Sequence, residues 1–201
     1  MSPSTSRRPL YGGAMTVLHI PPDFLDTDEV IDIVKRPIPD NQEMFVAPGL
    51  GSQQLHQAPT TIFIDLLEVN EDTKTLHEDP AKLVAFHAVE ILTNGTRREN
   101  VASEVEAAAA EASTSATNVD VPGAVDKRSG SEVKAIGAYH SYLDVADLEI
   151  AVVRLPTVNT DVVISRSGVG ANADADATIS SLRDVAASLT VDDWNLFGEE
   201  A

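Results

Sequence analysis

Cysteine is absent from this 201-residue chain, which excludes disulfides, zinc–thiolate centres and thiol nucleophiles. Aromatic residues make up only 4% of it, although a hydrophobic fraction of 43% still suits a folded protein. Basic residues are few: 14 Lys and Arg stand against 32 Asp and Glu, for a net charge of −18. Nucleic acid is therefore excluded as a partner, because its affinity comes mostly from cations that neutralise phosphates. Anionic membrane surfaces are disfavoured for the same reason. No apolar run approaches the roughly 20 residues of a membrane span, and the polar start Met1-Ser2-Pro3-Ser4-Thr5-Ser6-Arg7-Arg8 lacks the apolar stretch of a secretory signal. A soluble, intracellular protein with a basic partner is expected, the partner steered by charge.

At this length one well-buried core and one domain are expected. Residues 1–9 read as a disordered arm, 10–197 as the domain and 198–201 as a tail. Residues 14–20 alternate with the period of a strand, and Pro21-Pro22 ends it. Residues 26–34 read as a short helical turn, and 43–47 and 60–67 as strands, the second β-branched and apolar on both faces, as in a central strand. Asp79-Pro80 is a helix start, with Asp as cap and Pro at the first position, followed by a stripe through Ala81, Val84, Ala88 and Ile91; Gly95 closes the helix. Residues 96–131 hold four consecutive alanines and a Ser/Thr run but no aromatic residue, and read as a low-complexity mobile insertion. Strands are expected again at 132–143, 148–155 and 161–167, the first two joined as a hairpin at 144–147. A last helix is expected at 174–189. About six strands with close sequential links predict an α/β fold of the α+β kind, a largely antiparallel sheet flanked by helices.

Several patterns that suggest chemistry have simpler explanations. Gly168-Val169-Gly170 lacks the third glycine of a phosphate-binding turn, because Ala173 stands there and Asp174 and Asp176 would repel phosphate. Asn172, Asp174 and Asp176 open like a calcium loop, but Ala177 and Arg183 occupy the required Gly and Glu positions. No metal site is expected. Asn94-Gly95-Thr96 fits a glycosylation acceptor without a secretory signal to make it relevant. Asp65, Glu68 and His87 would suit acid–base work, yet no nucleophile, metal-ligand set or oxyanion turn accompanies them, so no enzyme is expected.

The most informative stretch is residues 10–68. It holds Leu10-Tyr11-Gly12-Gly13-Ala14, Pro22-Asp23-Phe24-Leu25-Asp26, Pro39-Asp40-Asn41-Gln42-Glu43 and Asp65-Leu66-Leu67-Glu68 in order. Phe86-His87, Asn94-Gly95-Thr96 and Thr160-Asp161-Val162-Val163-Ile164-Ser165 follow. In order and spacing these segments resemble the Mog family of Ran guanine-nucleotide release factors over roughly residues 10–95 and 132–197. Residues 96–131 and a few extra residues within 27–37 depart from the pattern.

The resemblance implies a fold shared with the PsbP-type photosystem protein. It implies a function by binding rather than catalysis: engaging the GTPase Ran, promoting release of its guanine nucleotide and supporting nuclear protein import. It also implies a monomer in nucleus and cytoplasm with no cofactor, and leaves open a second Ran-binding protein as partner. An adaptor of the same fold for a different basic partner is the alternative. An acidic surface near the Asp-Leu-Leu-Glu segment is implied as the Ran contact, which points to Asp65 and Glu68 first, then Asp26, Asp40 and Glu43. Residues three apart on a straight strand point to opposite faces, so Asp65 and Glu68 share one patch only if the strand ends or twists near Leu67.

Overall fold

The computed structural model describes residues 7–34, 37–48, 59–71, 73–92, 107, 110, 112, 116–128, 130–142, 148–168 and 181–198. In chain order the elements are β1 (Arg8–Leu10), β2 (Met15–Val17), α1 (Thr27–Val34), β3 (Gln42–Val46), β4 (Thr61–Glu68), α2 (Pro80–Leu92), β5 (Thr117–Val119), β6 (Val125–Asp126), β7 (Val133–Lys134), β8 (Ile136–Ser141), β9 (Leu148–Leu155), β10 (Thr160–Ser167), α3 (Leu182–Ala187) and β11 (Thr190–Val191). Six strands form one antiparallel sheet in the order β3-β4-β10-β9-β8-β5. β1, β2 and β11 make a second, three-stranded sheet, and β6 pairs with β7. This is the α/β architecture anticipated from the strand pattern, with about six strands in the main sheet.

Strands β9 and β10 lie at its centre, and β9 is buried at every residue, which suits its largely apolar sequence, while β10 buries Thr160, Asp161, Ser165 and Arg166 beside its apolar residues. One face packs Ile62, Ile64, Val153 and Ile164 against the small sheet and α3. The other packs Ile150, Val152 and Val163 under Leu83, Val84 and Ala88 of α2. Helix α2 begins as its sequence dictates: Asp79 Oδ1 accepts the Ala81 and Lys82 N–H groups, and Pro80 takes the first helical position, where no donor is needed. Its end at Gly95 and the 144–147 hairpin turn fall outside the described residues.

Four expectations need correction. The insertion reading of 96–131 does not hold over 117–126. There β5 extends the main sheet beside β8, and Val119, Val121 and Ala124 are buried in the core. Spaced β-branched valines carry this segment, a signal that averaged composition conceals. The arm is also shorter than residues 1–9, because β1 starts at Arg8 and pairs with β2, while Arg7 clamps both oxygens of Asp192; residues 1–6 lie outside the described residues. Strand β2 stops at Val17, and His19 adopts φ 69°, a left-handed conformation incompatible with a continuing strand. The last helix does not run unbroken from 174 to 189: Ser181 is non-helical and its side chain caps Arg183 N–H, so α3 begins at Leu182, and residues 174–180 lie outside the described residues.

Close approach at β8 makes the 117–121 docking testable. A Cβ on Gly137 would lie 2.5 Å from the Val119 carbonyl oxygen, a backbone atom with little freedom to move. Gly137→Ala is expected to cost about 1–3 kcal/mol in urea unfolding, the usual range for overpacking. An unchanged midpoint would mean that β5 is not seated as described.

Candidate functional site

Antiparallel pairing brings the start of β3 and the end of β4 to the same end of the sheet. Gln42 lies opposite Asp65. Asn41 continues the contact, its carbonyl accepting from Leu66 N–H while its side-chain amide donates back to the Leu66 carbonyl. The Pro39–Asn41 turn then carries the chain away, and Gln42 N–H bonds the Pro39 carbonyl. The result is a sheet corner flanked by Asp40 and Glu68, both exposed.

The Tyr-Gly-Gly turn braces this corner. Tyr11, Gly12 and Gly13 take φ of 50°, 67° and 91°, and the two glycines supply left-handed conformations that other residues resist. The turn aims Tyr11 N–H at Glu43 Oε1, 2.7 Å away, and its hydroxyl donates to the Ile64 carbonyl at 2.7 Å. Burial, followed by the charges of Asp65 and Glu43, pushes the phenol far above its ordinary pKa, so it stays a donor. The other Glu43 oxygen accepts from the Thr27 hydroxyl, which itself accepts from Met44 N–H. Asp26 and Glu29 exchange backbone bonds as a capping box at the start of α1.

Beside these residues opens a cleft of about 900 Å³. Its acids are Asp26, Asp28, Asp40 and Glu43, and Ile31 and Phe45 add apolar wall. Two arginines also line it, but both are engaged. Arg7 grips Asp192, while Arg8 donates to the Pro22 and Phe24 carbonyls and stacks on Phe45. The carboxylates therefore dominate the cleft's field.

Asp26, Asp40 and Glu43 thus meet in one cleft, whereas Asp65 and Glu68 are not among its walls. β4 runs through Glu68, so the pleat holds Asp65 and Glu68 on opposite faces and the condition for a single-faced patch is not met. Glu68 shares the face of Ile64 and Glu43, and Asp65 shares that of Phe63 and Val163. Three of the five acids line the cleft; Asp65 lies one strand behind it, linked by Gln42 Nε2, 2.6 Å from Asp65 Oδ1, and Glu68 closes β4 on the opposite face. Glu43 and Asp26 spend oxygens on internal bonds, while Asp40 and Glu68 have no side-chain partner among the described residues. Sequence reasoning missed Tyr11, Thr27 and Gln42 as braces. The double glycine after Tyr11 was the available signal, since it marks a special backbone turn.

Burial holds the Asp65 carboxyl above its ordinary pKa, with the Gln42 bond and the field of His87 offsetting part of the effect. A raised folded-state pKa favours the protonated form, so the associated stability is present below the unfolded value of 3.8 and is lost as pH rises through the folded one. Asp65→Asn keeps an acceptor for Gln42 without the charge. It is expected to raise the urea midpoint at pH 7, by about 1 kcal/mol or less, with the advantage vanishing near pH 3.

Asp65, Glu68 and His87 do not form one set: Glu68 lies on the opposite face of β4 from Asp65, and the field of His87 reaches Asp65. His87 is buried, and its Nε2 lies 2.9 Å from Asp161 Oδ2. Asp161 is held by the Arg154 guanidinium through two bonds of 2.7 Å. Among the described residues no cluster of three or more potential ligands could hold a metal ion, and no helix is long and apolar enough to cross a membrane.

A family model described as "Mog1: Ran-interacting Mog1 protein" matches residues 8–168. Among solved structures, the Saccharomyces cerevisiae Ran-binding protein Mog1p is 23% identical, with 98% of this chain and 100% of that chain covered and a TM-score of 0.49. A single-substitution mutant of protein Mog1 is 24% identical, with 97% and 100% covered and a TM-score of 0.48. No curated protein sequence matches.

Proposed function

The chain belongs to the family of Ran-interacting Mog1 proteins, and from that premise we propose that it binds the small GTPase Ran, promotes release of Ran's guanine nucleotide and supports nuclear protein import. The observation that carries this reading is the extent of the family match, residues 8–168, which takes in all five acids, the Tyr-Gly-Gly brace and α1. Asp40 and Glu68 are the direct contacts, with Asp65 behind them, and Asp26 and Glu43 position the corner through their internal bonds. Lys or Arg on Ran would meet these carboxylates in charge-assisted hydrogen bonds, and a net charge of −18 favours rapid encounter with a basic surface.

Release follows from differential binding rather than covalent chemistry. A factor that grips emptied Ran more tightly than loaded Ran shifts the equilibrium toward the empty state by the ratio of the two affinities. Reciprocity then requires bound nucleotide to weaken the factor's hold by the same ratio. The reading places the protein in nucleus and cytoplasm as a monomer, with a second Ran-binding protein as a further partner. Calorimetric titration of the protein into nucleotide-free and GDP-loaded Ran tests the mechanism, with an affinity at least about tenfold tighter for the empty form expected. Equal affinities would leave a binding module without release activity.

A further inference from the structure

On the face that carries Asp65, the covering helix reaches only part of the sheet. Helix α2 packs on β8 and β9 and touches β10 through His87. Toward the β3 edge the same face presents Met44 and Phe63, directly opposite each other across β3 and β4. Both are half-buried, and neither belongs to the two apolar clusters that make the core. Phe86, also half-buried and outside both clusters, packs edge-on against His87 with ring centroids 5.2 Å apart. Two residues from Phe63 on this face stands Asp65, a partly desolvated carboxylate whose hydrogen-bond partner among the described residues is the uncharged Gln42 amide.

We infer that Met44 and Phe63, with Asp65 beside them, form the apolar anchor site of the partner interface. The occupant is a segment of Ran that places an aliphatic or aromatic side chain on Met44 and Phe63 and a neighbouring Lys or Arg on Asp65. This rests on the proposed Ran-binding function and deepens it: the interface wraps the sheet corner, from Asp40 on one face to Phe63 on the other. Charge complementarity selects the cation, since half-buried Asp65 hydrogen-bonds only the neutral Gln42 amide among the described residues. Interfaces draw much of their energy from a few desolvated anchors, and the exposed acids Asp40 and Glu68 add charge pairs beside this one. The cation completes an ion pair whose acid has already lost much of its water, so less desolvation remains on binding.

Two measurements on the full chain with GDP-loaded Ran test this. The first is affinity by fluorescence anisotropy for Met44→Ala/Phe63→Ala and, separately, for Phe86→Gln on the helix flank. The double variant is expected to bind at least about 30-fold more weakly with an unchanged salt dependence, because no charge is lost, and Phe86→Gln to lose about threefold or less. The second follows the three methionine methyl signals of the unsubstituted protein as Ran is added, which does not depend on any variant folding. The Met44 methyl is expected to shift or broaden while that of Met15, fully buried, stays in place. If Ran binds but the Met44 methyl is silent and the double variant stays within threefold of wild type, the anchor is wrong and the Ran reading stands. If the unsubstituted protein fails to bind Ran, that reading falls first.

Discussion

Replacing Asp40 and Glu68 together with lysine is expected to lower the acceleration of nucleotide release from Ran by at least about 100-fold, some 2.7 kcal/mol of coupling, while the unfolding temperature moves by only a few degrees. Both side chains are exposed at the sheet corner and neither has a side-chain partner among the described residues, so little of the fold depends on them. Each change exchanges attraction for repulsion against a basic partner. Coupling energies of close interfacial charge pairs run from about 1.5 to 7 kcal/mol, so two reversals comfortably reach the stated loss. Asp65 suits this test poorly, because a lysine there would be partly buried and would confuse binding with stability. Glu43→Lys is worse, since it breaks the bonds to Tyr11 and Thr27 and would loosen the corner itself. Stopped-flow release from Ran loaded with fluorescent GDP checks the prediction, with thermal unfolding as the control.

The largest effect on stability is expected at Asp161. Its carboxylate takes two hydrogen bonds from Arg154 and one contact from His87, and Arg154 Nη1 reaches the Thr73 carbonyl at 2.7 Å. This buried cluster ties β9, β10, α2 and the turn at Thr73 together. Asp161→Ala leaves a buried guanidinium unpaired and is expected to cost about 3–5 kcal/mol, the usual penalty for breaking such a pair. Burial opposes the ionised form of Asp161, but the bonds from Arg154 and His87 outweigh it and hold the carboxyl below its ordinary pKa. Its stabilisation is therefore complete above the unfolded value of 3.8 and fades as pH falls through the folded one. Urea titrations at pH 7 and pH 3 should show the gap between wild type and variant narrowing at the lower pH. A gap independent of pH would mean that lost packing, rather than lost charge, is responsible.

Much of this was legible in residue order. Asp79-Pro80 announced α2 because a cap and a first-turn proline are local chemistry. The β-branched apolar run of residues 60–67 announced a strand with neighbours on both sides, and β4 lies between β3 and β10. The acids of the corner were found through resemblance, and the pleat alone warned that Asp65 and Glu68 would face opposite ways. What stayed hidden depends on distant pairing. Arg154 and Asp161 look like flaws in apolar strands until β9 and β10 align and place them opposite each other. Val119 and Val121 read as part of a polar insertion because the sheet edge that buries them is formed by β8, further along the chain. Glu43 looked like a contact residue, and its oxygens proved to be engaged by Tyr11 and Thr27.

The central claim is tested most directly by the rate at which fluorescent GDP leaves purified Ran, with and without this protein, at about 50 and 300 mM salt. The account predicts faster release in its presence, saturating with its concentration and weakening at the higher salt as the corner's charges are screened. A release rate unmoved at either salt, or an acceleration indifferent to ionic strength, would contradict it.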